Sequence, residues 1–99
     1  MNWFKITVLQ GERTYSYVGS SVHTLDELID QATLGKFVRL DNLIYKAKEK
    51  TRQLLSSSEK WVVKEWSEWD SSVIPAVVIN PKMILTIMQF KGDPRTLEK

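Results

Sequence analysis

Two stretches near the start of the chain alternate apolar and polar residues on either side of a glycine. Trp3 to Leu9 and Arg13 to Val18 are rich in aromatic and β-branched residues, and a loop of three residues around Gly11 separates them. A period of two indicates β-strands, and a short glycine-containing loop indicates a hairpin. The first strand should direct one apolar set to one face: Phe4, Ile6 and Val8. An antiparallel pair with one apolar face therefore begins the fold.

A helix start signal follows the hairpin. Thr24-Leu25-Asp26-Glu27 fits a capping box, in which the Thr24 hydroxyl accepts from the Glu27 amide and the Glu27 carboxylate accepts from the Thr24 amide. Gly35 suits a left-handed C-terminal cap. Between these signals the apolar residues keep the spacing of one helix face: Leu25, Leu28, Ile29 and Ala32. The pattern predicts a helix from Leu25 to Leu34.

The segment from residue 37 to residue 58 permits two interpretations. Phe37 to Leu40 is a short strand, Asp41-Asn42 is a turn, and Ser56 to Ser58 is a loop. As a strand, residues 43–55 would place four cationic side chains on one face: Lys46, Lys48, Lys50 and Arg52. As a helix capped by Asn42, they would place five residues on one side: Leu43, Ala47, Thr51, Leu54 and Leu55. We favour a helix for the second half at least, because strong helix formers dominate KEKTRQLL.

Three later segments have strand composition: Trp61 to Trp66, Ala76 to Asn80 and Ile84 to Phe90, with a turn at Asn80-Pro81-Lys82. The last two are continuously apolar, which indicates a pair buried on both faces. Residues 91–99 form a polar tail that we expect to be flexible. The chain is thus predicted to be one α+β domain over residues 1–90. Its antiparallel sheet of about five or six strands packs against one or two helices.

Composition narrows the function classes. None of the 99 residues is cysteine, which excludes disulfides, thiolate metal sites and cysteine nucleophiles and favours a reducing compartment. The N-terminal stretch lacks a secretory pattern, since Lys5 interrupts its apolar residues. The longest apolar run, Val73 to Ile79, contains Pro75 and is too short to span a bilayer. We therefore expect a soluble cytoplasmic protein without a membrane partner.

The residue types that carry catalysis or bind metals do not cluster in the sequence. His23 is the only histidine, and its neighbour Thr24 is explained by the helix cap. Asp26 and Asp30 fall near the start of the predicted helix, where negative charge is favourable without a metal. The four glycines are scattered and form no phosphate-binding loop. We expect no enzymatic activity, no metal and no cofactor.

One charged segment, KWVVKEWSEWD, holds three of the four tryptophans. One of them, Trp61, is expected in the core. The other two, Trp66 and Trp69, with the acidic residues Glu65 and Glu68 as a rim, are predicted to form a protein-interaction surface. The favoured function is a small non-catalytic interaction or regulatory module that binds a protein partner or a second copy of itself.

A second hypothesis rests on the basic segment. If residues 46–52 form a strand, the four cationic side chains follow one face at about 7 Å spacing, near the phosphate repeat of a nucleic acid. The net charge of +2 is small, so the attraction would be local. Weak nucleic-acid binding through Lys46, Lys48, Lys50 and Arg52 therefore ranks behind protein interaction.

Overall fold

The computed structural model describes the backbone of residues 1–52 and 59–97, and the side chains of residues 1–46 and 66–96. The described elements are β1 (Asn2–Gln10), β2 (Arg13–Ser21), α1 (Leu25–Thr33), β3 (Val38–Arg52), β4 (Glu59–Glu68), β5 (Ala76–Ile79), a 3₁₀ turn (Pro81–Met83), β6 (Ile84–Gln89) and α2 (Pro94–Leu97). The six strands form one antiparallel sheet, and the two helices are short. The coarse prediction of an antiparallel sheet with helices is confirmed, although the sheet forms most of the fold. No helix in the described ranges is long and apolar enough to cross a membrane.

The first two strands pair over their whole length, from Asn2 opposite Ser21 to Gln10 opposite Arg13. The turn between them has two residues, Gly11 and Glu12, rather than the predicted three. Gly11 has φ 64°, and a positive φ at the first of two central positions is the reason type II′ turns select glycine there. The predicted hairpin is therefore present with a tighter turn.

The sheet has the strand order β4-β3-β2-β1-β6, and β5 also pairs with β3. Ile44 of β3 pairs with Val18 on one side and with Glu68 of β4 on the other. Asp41 pairs with Ser20 on the first side and with Ala76 of β5 on the second. Consequently β4 and β5 lie one after the other along the same edge of β3, and residues 69–75 leave that edge between them.

Residues 43–52 are a strand, which is one of the two alternatives, so the helix favoured for the second half of this segment is wrong as far as Arg52. Antiparallel pairing with β4 continues to Arg52, which lies opposite Glu59. Cross-strand pairing outweighs the helix propensity of a lysine- and glutamate-rich segment, because propensity differences amount to only a few tenths of a kcal/mol per residue. Leu54, Leu55 and the loop predicted at Ser56 to Ser58 lie outside the described residues.

Asn42 is part of this strand and does not cap a helix. Its φ of 50° is the one positive value among the described non-glycine residues. Its Nδ2 donates to the Ser20 Oγ at 2.7 Å, and the register between β2 and β3 shifts at this point. The turn-forming Asp41-Asn42 pair therefore produces an irregularity within β3 rather than a break between two elements.

The predicted pairing of the last two apolar strands is also wrong. β5 pairs with β3 and β6 pairs with β1. Both strands expose large side chains: Val78 is 60% exposed and Leu85 is 53% exposed. A continuous apolar run in a short strand therefore does not require burial on both faces here, because β5 and β6 lie at opposite edges of the sheet.

The main core lies on the face of the sheet that α1 covers. As predicted, Phe4, Ile6 and Val8 are buried there, together with Leu28 of α1. The predicted capping box is present, with Glu27 N donating to Thr24 Oγ1 at 3.2 Å and Thr24 N donating to Glu27 Oε1 at 3.0 Å. Ile29, which was predicted to belong to the buried stripe, is 44% exposed because α1 is short and its packing is centred on Leu28.

A smaller cluster consists of residues outside the main core. Trp3, Val18 and Ile44 are buried in it, and Trp66 and Phe90 pack against them. The backbone N–H of Phe90 donates to the Trp3 carbonyl at 2.9 Å, which brings the C-terminal segment to the start of β1. Pro94 of α2 is also buried. The domain boundary at residue 90 and the flexibility of the tail remain predictions.

Candidate binding site beside Trp69

Residues 69–75, between β4 and β5, are held in shape by several hydrogen bonds. The backbone N–H of Trp69 donates to the carbonyl of Leu43 at 3.0 Å. The Asp70 carboxylate accepts from the Ser72 N–H at 2.9 Å and from the Ser72 hydroxyl at 2.6 Å. The Asp70 carbonyl accepts from the N–H groups of Val73 and Ile74 at 3.0 and 2.8 Å. The Ser72 hydroxyl, and then its backbone N–H, lower the pKa of Asp70 below its ordinary value.

Trp69, at the start of this loop, forms a solvent-exposed aromatic pair with Tyr45 of β3. The rings of Tyr45 and Trp69 have centroids 5.3 Å apart and are inclined at 59°. This is an edge-to-face type of contact, which aromatic quadrupoles favour over a flat sandwich. The two residues remain 42% and 41% exposed, and the neighbouring Val73 and Ile74 are exposed as well. Four large apolar or aromatic side chains therefore meet solvent around one short loop.

A cavity of about 230 Å³ opens beside Trp69. Its walls are the indoles of Trp3 and Trp69, three apolar residues and four polar ones: Leu43, Ile74, Pro75, Asn42, Glu68, Ser71 and Arg95. The exposed wall of this cavity is more polar than apolar, and its volume is below the roughly 300–1,000 Å³ of pockets for drug-sized ligands, so it suits a single side chain. We name this feature, with the Tyr45–Trp69 pair at its rim, the Trp69 pocket.

Arg95 forms one wall of the Trp69 pocket and is held by two carboxylates. It donates to Glu68 Oε1 at 2.5 Å through Nη1 and to Asp93 Oδ2 at 2.6 Å through Nη2. Its guanidinium also lies 5.1 Å from the centroid of the Trp3 ring, which is a cation–π distance. The hydrogen bond from Arg95 lowers the pKa of Asp93, and the same bond raises the pKa of Arg95.

Trp66 occupies a different position from Trp69. It packs partly buried against the Trp3 cluster and pairs directly with Lys46 across β3 and β4. The Lys46 Nζ lies 5.2 Å from the centroid of the Trp66 ring. The Trp66 Nε1 is buried and has no hydrogen-bond acceptor among the described residues. The Trp66 ring therefore already contacts the smaller apolar cluster and the Lys46 ammonium of the same chain.

The predicted interaction residues are divided by the structure. Glu68 and Trp69 are together in the wall of the Trp69 pocket, whereas Trp66 lies in the smaller cluster. The backbone of Glu65 belongs to β4, but its side chain and that of Trp61 lie outside the described residues. The assignment of these residues to an interaction surface, and of Trp61 to the core, remains a prediction.

The predicted basic residues occupy alternate positions of β3. Lys46, Lys48, Lys50 and Arg52 lie opposite Trp66, Val63, Trp61 and Glu59 of β4, respectively. The register shifts between Lys46 and Lys48, so β4 has one additional residue between Val63 and Trp66. Of the four basic side chains, only that of Lys46 is among those described. The register thus places two tryptophans in the strand opposite the basic segment.

Of the residues of the Trp69 pocket, sequence reasoning proposed only Glu68 and Trp69, and those that it missed include Trp3, Tyr45 and Arg95. A tryptophan on the strand face that carries Lys5 and Thr7 was a signal for Trp3, because a large aromatic on a polar face needs cover. For Arg95 the signal was Asp93-Pro94, an N-cap followed by proline at the first helical position. Asp93 Oδ1 does accept from the Arg95 N–H, at 2.9 Å. No sequence signal connected Tyr45 with Trp69.

Among the side chains that the structure describes, the remaining polar residues form no comparable site. Within the described ranges, no three His, Asp or Glu residues come together as metal ligands. His23 Nδ1 lies 3.3 Å from Glu27 Oε2 at the exposed start of α1. A second cavity of about 170 Å³ is lined mainly by apolar residues, including Phe37, and lies away from the aromatic pair.

Comparison with known proteins gives no relative for this chain: no family model matches it, and no curated protein or solved structure is significantly similar to it.

Proposed function

We propose that this chain is a non-catalytic protein-interaction module that binds its partner at the Trp69 pocket. The observation that carries the proposal is the half-exposed Trp69, in a tilted contact with Tyr45 at the rim of a cavity of about 230 Å³. Interface hot spots are enriched in tryptophan and tyrosine at the centre and in charged residues at the rim. The location in the cytoplasm and a regulatory role remain predictions, the first resting on the absence of cysteine.

The hydrogen bonds of residues 69–75 support the same proposal. A contact residue on a mobile loop must be ordered upon binding, which costs about 0.5–1.5 kcal/mol for each immobilised side chain. Trp69 is joined to β3 through Leu43, and Asp70 organises the residues that follow it. The aromatic pair is therefore preorganised, which lowers the entropic cost of association.

The proposal is tested by selection from a random peptide library displayed on phage. The full chain is the bait, and the Trp69→Ala variant removes binders that do not need this indole. We expect a family of related peptides that bind the wild type and lose at least tenfold in affinity with the variant. Sedimentation velocity of the wild type checks whether a second copy occupies the pocket. Recovery of peptides that bind both proteins equally, or of none, together with a monomeric wild type, would overturn the proposal.

A second candidate function rests on the register of β3 and β4. Four basic residues at alternate positions of β3 supply positive charges that could follow the backbone of a single strand. Trp66 does not offer a stacking surface, because its ring packs in the smaller cluster and has Lys46 at 5.2 Å. Weak binding of single-stranded nucleic acid is therefore the alternative proposal.

Fluorescence anisotropy with labelled single-stranded DNA and RNA at low salt distinguishes this alternative. We expect affinity to fall steeply with added salt, and a variant in which Lys46, Lys48 and Arg52 become glutamate should lose it. Trp69→Ala is the matched control, since Trp69 lies outside this segment and should leave the affinity unchanged. Absence of binding by the wild type at low salt eliminates the alternative.

A further inference from the structure

The three tryptophans whose side chains are described differ in the groups that contact their rings. Trp3 has the Arg95 guanidinium at 5.1 Å from its ring centroid, and Trp66 has the Lys46 ammonium at 5.2 Å from its own. The aromatic neighbour of Trp69 is Tyr45, and Trp69 is the one of the three that is exposed. Two of the three indoles therefore bind a cation of the same chain, and the third is open to solvent beside a cavity.

The charges at and behind the wall of the cavity favour a second cation. Glu68 and Arg95 line the cavity, and Asp93 is ion-paired with Arg95 behind it. The three groups carry two negative charges and one positive charge, so they sum to −1. The hydrogen bond between Glu68 and Arg95 uses Oε1 of the carboxylate, and Glu68 is itself well exposed. The described contacts leave Oε2 able to accept from an incoming donor. An indole face next to a carboxylate is a combination that attracts ammonium and guanidinium groups.

The acidic partners of Arg95 argue against an anionic ligand. Its Nε and Nη2 both donate to Asp93, and its Nη1 donates to Glu68. One N–H on each terminal nitrogen remains able to donate. An anion bound there would nevertheless lie beside two carboxylates, in a group of three charges that already sums to −1. The pocket is thus electrostatically suited to a positive group.

We propose that the Trp69 pocket binds a cationic side chain, a lysine or an arginine, and that the partner therefore presents a basic segment. This inference rests on the proposed function and deepens it by naming the chemistry that the pocket selects. The aliphatic part of the basic side chain packs against Ile74 and Pro75, the charged end lies over the Trp69 indole, and Glu68 accepts a hydrogen bond from it. Tyr45 supports the outer edge of the indole.

The test compares two small probes of the same shape that differ in charge. Choline carries a quaternary ammonium, and 3,3-dimethylbutan-1-ol is its neutral isostere. Each is titrated into the full chain at constant ionic strength, with the indole N–H resonance of Trp69 as the readout in heteronuclear NMR spectra. The resonance is assigned by its loss in Trp69→Ala. We expect choline to bind at least fivefold more tightly than the alcohol, because the alcohol lacks the cation–π and ionic attraction.

Two variants should change the choline affinity in opposite directions. Glu68→Gln raises the net charge of the three groups from −1 to zero and should weaken choline binding about fivefold. Arg95→Gln lowers that net charge to −2 and should tighten it, which a general loss of structure would not do. The ratio of the choline affinity to the alcohol affinity is compared for each variant, since a change in the shape of the wall affects both probes. Unfolding midpoints of both proteins verify that they remain folded.

The outcomes separate this inference from the proposed function. Equal affinities for choline and the alcohol, or a Glu68→Gln variant that binds choline like the wild type, would overturn cation selectivity. The pocket would then still be a docking site if the peptide selection depends on Trp69. If neither probe shifts the Trp69 resonance, the pocket does not bind such ligands and the inference is wrong. The peptide selection then decides the proposed function independently.

Discussion

The backbone N–H of Trp69 donates a hydrogen bond of 3.0 Å to the carbonyl of Leu43, one residue beyond the end of β4. Leu43 is buried in the main core, whereas the Trp69 side chain is 41% exposed. The main chain that carries the exposed indole is therefore hydrogen-bonded to a strand residue of the main core. Residues 70–75 can depart from the sheet edge without loosening this attachment.

The turn that Asp70 organises should make binding at the Trp69 pocket sensitive to acid. The Ser72 hydroxyl and N–H stabilise the ionised carboxylate and lower its pKa in the folded protein. A depressed pKa stabilises the fold above the ordinary aspartate value, and this contribution disappears as the pH falls through the folded value. Affinity for a selected peptide should therefore decrease at acidic pH below the ordinary aspartate range. Peptide binding measured by anisotropy between neutral and acidic pH checks this.

Ser72→Ala is the variant that isolates this effect. It removes the hydroxyl bond to Asp70 and should shift the acid transition toward higher pH. Ser16→Ala is the matched control, because it also removes an exposed serine hydroxyl from a hydrogen bond, with Thr7 at 3.1 Å, and Ser16 does not line the pocket. Coincident acid transitions in the wild type and in Ser72→Ala would contradict this account of the turn.

The capping box of α1 should contribute measurably to stability. Thr24→Ala removes the acceptor for the Glu27 N–H, and loss of an N-cap costs about 0.5–2 kcal/mol in free energy of unfolding. The bond that Glu27 accepts from the Thr24 backbone, followed by its bond to His23, lowers the Glu27 pKa. The difference between the wild type and Glu27→Gln should therefore shrink at acidic pH, once Glu27 is protonated. Urea denaturation at neutral and acidic pH measures both effects; an unchanged Thr24→Ala midpoint would contradict the first.

The elements that could be predicted from the sequence are those with local signals. The alternation around Gly11 and the Thr24–Glu27 box each determine the backbone by interactions within a few residues. The conformation of residues 43–52 depends instead on β4, which begins at Glu59 and is brought alongside only by tertiary folding. Single-segment propensity could not supply that information, and it favoured the wrong element.

The same distinction applies to the binding site. Glu68 and Trp69 could be proposed from their place in one aromatic segment. Trp3 and Arg95 come from the two ends of the chain and meet at the cavity because β6 returns to β1. No spacing rule relates residues so far apart in sequence. The sequence could therefore predict Glu68 and Trp69 as site residues, whereas Trp3 and Arg95 could be assigned only from the strand order.

Gly19 should be intolerant of any side chain. A Cβ at this position would lie 2.6 Å from the Asp41 carbonyl oxygen, which belongs to the neighbouring strand backbone and cannot move aside cheaply. Gly19→Ala should therefore destabilise the protein by about 1–3 kcal/mol. Gly92→Ala, where a Cβ would meet open space, is the control and should change stability little. Equal unfolding midpoints for the two variants would contradict the close approach of β2 and β3.

Leu28 should carry most of the packing of α1. It is fully buried, and Leu28→Ala should cost about 2–5 kcal/mol in free energy of unfolding. Its neighbour Ile29 is 44% exposed, so Ile29→Ala should cost much less. Denaturant unfolding of both variants checks the orientation of the helix. A larger loss for Ile29→Ala would show that the opposite side of α1 faces the sheet.

The most direct test of the Trp69 pocket measures affinity and stability together in one variant. For a peptide obtained by selection, Trp69→Ala should weaken binding by about 2 kcal/mol or more, which is roughly 30-fold in the dissociation constant. Phe37→Ala is the control, because Phe37 is also an exposed aromatic but borders the second cavity. It should leave the affinity unchanged. The account predicts that Trp69→Ala loses affinity while its free energy of unfolding falls by less than about 1 kcal/mol. Unchanged affinity, or a stability loss of about 3–5 kcal/mol as for a core aromatic, would contradict it.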